Sequence, residues 1–227
     1  MRHFIANIVA LALLATPTLA ENSKCRGLPI TAETSPRPDF VCPLAETSGI
    51  RPQDSHGEGC FASSRGGGAR SHNAVDLNTS LGVDVLASRA GEARLATHWD
   101  PNGEGKGFGK LVIIDHEDGD YTFYAHLDSL AVSSGDCVTA GQKIGTAGYS
   151  GNATGMQTDG LPPHLHFEII RPGRRGLPVN NRPRSYLSTA DQFFLGMAND
   201  MGLGVINPEK ELPFACIYPV PIQPFCQ

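Results

Sequence analysis

Seven short apolar segments recur between about residues 56 and 185, and they constrain this part of the chain to an all-β fold. The segments are 83–87, 91–96, 111–115, 121–125, 137–138, 143–147 and 164–170. Each has the length of a strand, and glycine-rich turns separate them at the spacing of an all-β domain. The Glu-Asp-Gly-Asp sequence at 117–120 is a hairpin signal. We therefore predict an all-β domain.

The last apolar segment carries two histidines that are separated by one residue. Side chains two residues apart in a strand point to the same face, so His164, His166 and Glu168 are predicted to share one face. The residues between them are apolar and are predicted to face a core. Two imidazoles side by side on the open face are a poor arrangement for packing and a good one for binding a metal.

The two ends of the chain differ in composition from this β-rich part. Residues 1–20 have the basic start, the short apolar run and the small residues before Ala20 that are typical of a secretory signal peptide. We therefore expect an exported protein, periplasmic or secreted, without a membrane span. Residues 21–55 are predicted to form an irregular N-terminal arm, and 56–185 a single domain. The C-terminal extension, 186–227, is Pro-rich, with a short helix predicted at 189–201.

All the cysteines follow the predicted signal peptide, at Cys25, Cys42, Cys60, Cys137, Cys216 and Cys226. An even number in an exported protein indicates disulfide bonds, but six cysteines allow about 15 pairings and the sequence does not choose among them. The chain has 18 Lys and Arg against 23 Asp and Glu residues, a formal net charge of −5. This balance disfavours a nucleic-acid-binding protein. Separately, we expect the protein to be a monomer.

Four histidines and one aspartate lie in contexts that suggest a hydrolytic metal site. His72 and Asp76 form a His-x-x-x-Asp pattern after a glycine-rich stretch, and His126 ends an apolar strand. His72, Asp76 and one histidine of the pair His164 and His166 would give three ligands, which leaves a fourth position for a water nucleophile. The other histidines could transfer protons or stabilise an oxyanion.

The remaining histidines of the predicted mature chain have contexts that suggest no chemistry. They are His56, His98 and His116. His116 lies beside acidic residues at the predicted hairpin turn, so we expect it to be solvated.

The order His-x-x-x-Asp, Tyr-Ala-His-Leu and His-Leu-His-Phe-Glu resembles the LytM/lysostaphin-type zinc metallopeptidases of peptidase family M23. The likeness extends to the strand at 109–116 and to the G-x-x-V-x-x-G-x-x-I-G stretch at 135–145, and it covers roughly 56–180. The resemblance implies a LytM-like fold, with a predominantly antiparallel β-sheet core and an open groove. It also implies one Zn²⁺ per chain, bound by His72, Asp76 and His166. It further implies that His126 and His164 act as general base and oxyanion stabiliser, in an order that the sequence does not decide.

The resemblance also implies a function. The leading hypothesis is a secreted zinc metalloendopeptidase that hydrolyses cross-link or stem peptides of bacterial peptidoglycan. The alternative is a non-catalytic module that regulates a cell-wall amidase or acts as an extracellular signal, although all five expected site residues are present. A toxin aimed at rival cells would use the same chemistry. In a latent form of the enzyme, residues 21–53 would cover the groove and an arm residue such as Asn22 would occupy the fourth metal position.

Two features depart from the family's pattern. Ala74 stands where the family commonly has glycine, which is strained if the position needs a positive φ and is tolerated if it needs only close packing. Residues 149–163 form a longer connection to the His-x-His strand than is typical. We interpret this insertion as part of the wall of the substrate groove, and the alternative is an exposed spacer.

Overall fold

The computed structural model describes residues 25, 40–65, 70–99, 107–171 and 204–217. The strands within these ranges are β1 Gly49–Ile50, β2 Ser64–Arg65, β3 Arg70–Ser71, β4 Val75–Asn78, β5 Asp84–Leu86, β6 Gly91–Trp99, β7 Gly109–Asp115, β8 Tyr121–Leu130, β9 Cys137–Val138, β10 Lys143–Ala147, β11 His164–Arg171 and β12 Gly204–Ile206. The helical elements are short and consist of 3-10 turns at Gly151–Ala153 and Pro208–Lys210 and α-helices at Thr154–Thr158 and Phe214–Ile217. The predicted all-β fold is confirmed, and each of the seven predicted apolar segments contains a strand.

One antiparallel sheet contains all of these strands except β2 and β3, which form a separate pair. Its main order is β1-β4-β11-β8-β7-β6-β9, with β10 joining β5 to β8 and β12 pairing with the end of β11. The hairpin predicted at 117–120 connects β7 and β8. Strand β11 therefore lies between β4 and β8, so residues from these three strands can meet on one face of the sheet.

The apolar face of β11 packs into the larger of two hydrophobic clusters, as the alternation predicts. Its core residues, which are 0% exposed, are Leu165, Phe167 and Ile169. The opposite face differs from the expectation of an open surface, since His164, His166 and Glu168 are only 5–9% exposed. The rings of Phe108 and Phe123 lie 5.5 and 6.3 Å from that of His166, between centroids, and cover part of this face. The histidine face is therefore recessed.

The described parts of the arm and of the C-terminal extension pack on the domain. Disulfide bonds join Cys42 to Cys216 and Cys25 to Cys137, and Cys60 is also disulfide-bonded. The predicted disulfides are thus present among the described cysteines. The predicted signal peptide, most of residues 21–39, the helix predicted at 189–201 and Cys226 lie outside the described residues, so these predictions and the latent-enzyme hypothesis stay untested. Across the described ranges, no helix has the length and apolar character needed to cross a bilayer.

The prediction that His116 is solvated is wrong, since this side chain is only 7% exposed. Its Nδ1–H donates to the Ala90 carbonyl at 2.8 Å, and its Nε2 lies 2.9 Å from the hydroxyl of Thr122. Burial lowers the pKa of His116 to about 4, so the ring is neutral at neutral pH. These two hydrogen-bond partners are not the sequence neighbours of His116. The acidic residues beside His116 therefore do not indicate that the ring is buried.

Candidate metal centre

Strand pairing brings two of the predicted ligands face to face. The register of β4 and β11 places Asp76 directly opposite His166, at a position where the side chains of an antiparallel pair are about 5 Å apart. His72 lies four residues before Asp76, just ahead of β4, and is 6% exposed. The structure therefore gathers His72, Asp76 and His166 into one buried cluster that has the composition of a metal site.

Three atoms of this cluster converge on a common point. Oδ1 of Asp76 lies 3.1 Å from Nε2 of His72 and 3.1 Å from Nδ1 of His166, and the two ring nitrogens are 3.4 Å apart. Zinc–ligand bonds of about 2.0–2.1 Å at tetrahedral angles would separate neighbouring ligand atoms by roughly 3.3 Å. The spacing of the three atoms thus fits a small tetrahedral cation.

The other nitrogen of each candidate ligand imidazole is hydrogen-bonded to an acceptor. Nδ1–H of His72 donates to the carbonyl of Cys60 at 3.0 Å, and Nε2–H of His166 donates to Oε1 of Glu168 at 2.9 Å. A carbonyl and a carboxylate only accept, so the neutral rings turn their lone pairs toward Asp76. Three lone pairs therefore face one another, an arrangement that needs a positive charge between them. Such outer partners also fix the orientation of metal-binding histidines.

The pKa shifts of His166 and Asp76 also indicate that a positive charge is favoured in the cluster. Burial disfavours a charge on His166, but the carboxylates of Asp76 and Glu168 outweigh it and raise the pKa of His166 to about 9. Burial likewise disfavours a charge on Asp76, yet the surrounding imidazoles hold the pKa of this carboxyl well below its usual value. Without a metal ion a proton would occupy the cluster, and a divalent cation satisfies the same lone pairs.

A β-bulge directs His126 toward the cluster. Opposite Leu111, strand β8 contains an extra residue, because Lys110 pairs with Leu127 while Val112 pairs with Tyr124. His126 adopts φ of +63°, which is uncommon for a residue other than glycine. Ala125 and His126 are thereby both directed toward the histidine face, whereas strict alternation would turn His126 into the core beside Tyr124.

His126 and His164 flank the three converging atoms. The His126 ring lies 5.1 Å from that of His164 and 5.6 Å from that of His166, between centroids. Nδ1–H of His126 donates to the Ser150 carbonyl at 2.9 Å, so Nε2 of the neutral ring carries the free lone pair. Burial lowers the pKa of both rings, to about 4 for His164 and well below the usual value for His126. Both are therefore neutral at neutral pH.

One nitrogen of His164 has no partner among the described residues. Its Nε2 lies 3.7 Å from Oδ1 of Asp76, which is too long for a hydrogen bond, and its buried Nδ1 makes no hydrogen bond. A buried polar atom without a partner is costly in a folded protein and points to a ligand or water that supplies the partner. The five residues predicted from the sequence thus lie together in one site.

The two departures from the family pattern have different structural outcomes. Ala74 is 0% exposed and its φ is not positive, so this position needs close packing rather than an unusual dihedral. The insertion forms a 3-10 turn and a short helix, with Gly151, Ala153 and Met156 buried and 157–160 exposed. It contains Ser150, whose carbonyl accepts a hydrogen bond from His126. The insertion is therefore anchored beside the site.

Sequence reasoning did not identify several residues that position the site. Arg51 and the carbonyl of Cys60 come from a segment without periodicity, and Ser150 acts through its backbone. Glu168 had a usable signal, because it shares the strand face with His166 and lies two residues away. A carboxylate at that spacing is within reach of the imidazole.

The sequence that carries the candidate site is similar to that of a known protein family. The sequence model of peptidase family M23 matches residues 70–181. The peptidoglycan DD-endopeptidase ShyA of Vibrio cholerae is 36% identical over 109 residues, which cover 48% of this chain and 22% of ShyA. The murein hydrolase activator NlpD of Escherichia coli is 32% identical over 124 residues, 55% of this chain and 28% of NlpD. The chain thus spans about a quarter of the length of these relatives.

Two solved structures of peptidases are also similar to this chain. A zinc-containing peptidase from Vibrio cholerae is 28% identical, with 58% of this chain and 36% of that chain covered and a TM-score of 0.41. The catalytic domain of lysostaphin from Staphylococcus simulans is 29% identical, with 60% and 89% covered and a TM-score of 0.40. On the sequence match over 70–181, the chain belongs to peptidase family M23.

Proposed function

We propose that this chain is a zinc metalloendopeptidase that hydrolyses cross-link or stem peptides of bacterial peptidoglycan. The observation that carries the proposal is the convergence of three ligand atoms, from His72, Asp76 and His166, beside two further buried imidazoles. Membership of family M23 and the similarity to peptidoglycan DD-endopeptidases support this class of reaction and substrate. The same proposal makes His72, Asp76 and His166 the metal ligands.

The chemistry divides among the five residues. A Zn²⁺ ion in the cluster supplies Lewis acidity, which activates water and polarises a carbonyl group. His126 accepts the proton of the attacking water on Nε2, because its Nδ1–H is held by the Ser150 carbonyl. The unpartnered nitrogen of His164 hydrogen-bonds the substrate oxygen as negative charge develops there. Glu168 and the Cys60 carbonyl keep the ligand rings in the required tautomer.

The proposed compartment lies outside the cytoplasm, in the periplasm or the medium. Among the described cysteines, Cys25 pairs with Cys137 and Cys42 with Cys216, and none of them is free. Disulfide bonds persist in oxidising compartments and are rare in the cytosol. Peptidoglycan is reached from the same side of the membrane, so the compartment and the substrate agree.

A second candidate function is a non-catalytic activator of a murein hydrolase. The similarity to the relative named as a murein hydrolase activator favours it. Such a role requires neither a metal nor the two flanking histidines, whereas this chain keeps both imidazoles buried next to the converging ligand atoms. We therefore rank hydrolysis first.

We expect the protein spanning residues 21–227 to bind about one equivalent of Zn²⁺ and to release muropeptides from isolated sacculi. A chelator should stop the release, and added Zn²⁺ should restore it, whereas Mg²⁺ should not, because magnesium prefers octahedral oxygen coordination. Metal analysis and chromatography of the released fragments provide the measurement. A protein that releases nothing on its own but increases the activity of an added amidase would support the second function and contradict the first.

We also propose that the insertion forms one wall of the substrate groove. Asn152 and Gln157 are exposed on its 3-10 turn and helix, while Met156 anchors the segment. The double variant N152A/Q157A should change the relative rates on a panel of cross-linked peptides, because exposed groove side chains act on bound substrate. Its unfolding midpoint should match that of the wild type, since no buried contact is removed. An unchanged order of rates across the panel would favour the exposed-spacer interpretation.

A further inference from the structure

We propose that Arg51 is a positioning residue of the metal centre, which holds Asp76 so that only one carboxylate oxygen faces the metal. This inference deepens the proposed function and rests on it for the identity of the metal. Arg51 lies outside the part of the chain that matches family M23, which begins at residue 70. The described arm thus contributes directly to the site.

The two oxygens of the Asp76 carboxylate have separate surroundings. Oδ1 faces the three histidines, at 3.1 Å from His72, 3.1 Å from His166 and 3.7 Å from His164. Oδ2 accepts a hydrogen bond from Nη2 of Arg51 at 3.0 Å. Arg51 therefore acts on the oxygen that faces away from the converging ligand atoms.

The guanidinium of Arg51 is itself fixed from several sides. Its Nη1 donates to Oδ2 of Asp54 at 2.6 Å and to the carbonyl of Gly57 at 2.8 Å, and the residue is 3% exposed. The Arg51 backbone N–H also donates to the Asp76 carbonyl at 2.8 Å. A planar guanidinium can serve both carboxylates at once, which the point charge of lysine cannot do with the same geometry.

Close backbone packing keeps the Arg51 segment against β4. Gly59 donates its N–H to the Arg51 carbonyl and accepts from the N–H of Asp76. A Cβ at Gly59 would lie 2.7 Å from the Arg51 carbonyl oxygen and 2.9 Å from that of Asp76, closer than real Cβ contacts. The contact therefore needs glycine, and the distance between Arg51 and the ligand strand is set by the backbone.

The hydrogen bond has a chemical consequence for metal binding. A carboxylate with two available oxygens can bind a metal ion through both and fill the position that the proposed reaction needs for water. With Oδ2 committed to Arg51, Asp76 presents Oδ1 alone, in an orientation that is fixed before the metal arrives. Ligand partners of this kind are typically worth about 10–100-fold in metal affinity or activity.

Arg65 is the other guanidinium near this carboxylate, but its contacts point elsewhere. Its Nη2 lies 3.6 Å from Oδ2 of Asp76, beyond hydrogen-bond distance. The Arg65 guanidinium donates instead to the hydroxyl of Ser63 and to the carbonyl of Glu58. We therefore assign the positioning role to Arg51.

Arg89 provides a matched control for a merely structural role. It is 4% exposed against 3% for Arg51, each binds two carboxylates, and each has a buried Nε without a partner. The partners of Arg89 are Asp118 and Asp120, which are not members of the metal-ligand cluster. Loss of either arginine removes charge-assisted hydrogen bonds to two carboxylates and should lower stability, but only the loss of Arg51 should affect the metal.

The test measures Zn²⁺ affinity by competition with a chromophoric chelator for wild type, Arg51→Gln, Arg51→Lys and Arg89→Gln. We expect Arg51→Gln to bind Zn²⁺ about 10–100-fold more weakly, Arg51→Lys to fall between it and the wild type, and Arg89→Gln to match the wild type. With Co²⁺ as the probe, the visible spectrum should change in Arg51→Gln and not in Arg89→Gln, because it reports coordination geometry. If Arg51→Gln does not fold, Arg51→Lys carries the comparison.

The outcomes separate this inference from the proposed function. Wild-type Zn²⁺ affinity and an unchanged Co²⁺ spectrum in the Arg51 variants would overturn the positioning role while leaving the peptidase intact. Equal losses of affinity in the Arg51 and Arg89 variants would also overturn it, since they would show a general effect of stability. A wild-type protein that binds Zn²⁺ but releases no muropeptides would instead refute the proposed activity, and the affinity comparison would still decide the role of Arg51.

Discussion

Substitution of His166 by alanine is expected to abolish metal binding and peptidoglycan hydrolysis together. His166 supplies one of the three converging ligand atoms, and its removal leaves His72 and Asp76 as the remaining pair. Two protein ligands do not make the three-ligand site that hydrolytic zinc enzymes use. Because the metal provides the Lewis acid in the proposed reaction, no slower route through the same site should remain.

Metal analysis and the sacculus assay measure this loss, and the response of stability to a chelator gives a second readout. A metal that binds only the folded state stabilises it by about 2.7 kcal/mol when its free concentration is 100 times its Kd. The unfolding midpoint of the wild type should therefore fall when a chelator is added, whereas that of His166→Ala should not change.

Two further variants control for the cost of removing a buried imidazole. His116→Ala also deletes a buried, hydrogen-bonded ring, but one that lies outside the ligand cluster, so it should lose stability and keep the metal. His166→Ala also removes the hydrogen bond between His166 and the buried Glu168, which lowers stability by itself. His72→Ala tests the same ligand set and keeps that hydrogen bond. Retention of one metal equivalent by His166→Ala would refute the ligand assignment.

Local sequence patterns predicted part of the candidate site, whereas the assignment of His72, Asp76 and His166 as ligands rests on the resemblance to the LytM/lysostaphin-type peptidases. The alternation in β11 identified the face shared by His164 and His166, and an apolar run identified its neighbour β8, whereas its other neighbour, β4, lies outside the seven predicted segments. The register of strands then determined the rest, since Asp76 pairs directly with His166. A period of two fixes the face of every residue in such a strand, which makes this part of the site predictable.

The supporting residues could not be predicted in the same way, because their partners are distant in the sequence. Arg51 contacts a carboxylate 25 residues away, and His126 reaches a carbonyl 24 residues away. The segment that carries Arg51 has no periodicity, so its path depends on close packing at Gly59. The expectation for His116 failed for the same reason, since the Ala90 carbonyl, to which its ring is hydrogen-bonded, is 26 residues away.

The bulge at His126 illustrates how a departure from local regularity serves a site. Strict alternation along β8 would turn this side chain away from the proposed metal ligands, and no single residue in Tyr-Ala-His-Leu signals the extra residue. A positive φ at a residue other than glycine costs about 1–2 kcal/mol. Such local strain persists where the surrounding structure imposes it and is common at functional sites.

Replacement of His126 by asparagine should leave metal binding intact and lower turnover about 10²–10⁴-fold, the usual contribution of a general base. Asparagine is the informative choice because it tolerates the positive φ of this position better than alanine does. Its amide can still donate a hydrogen bond, but it cannot accept and carry a proton. A large loss of turnover therefore reports proton transfer rather than polarisation.

The measurement is turnover on a defined cross-linked peptide, together with metal content and the unfolding midpoint. His98→Asn serves as the control, because His98 is exposed on β6 and lies outside the metal-ligand cluster. A loss of less than tenfold in His126→Asn, with full metal content, would show that hydrogen-bond donation is enough at this position. His164 would then be the remaining candidate for the general base, since its buried Nδ1 has no hydrogen-bond partner among the described residues.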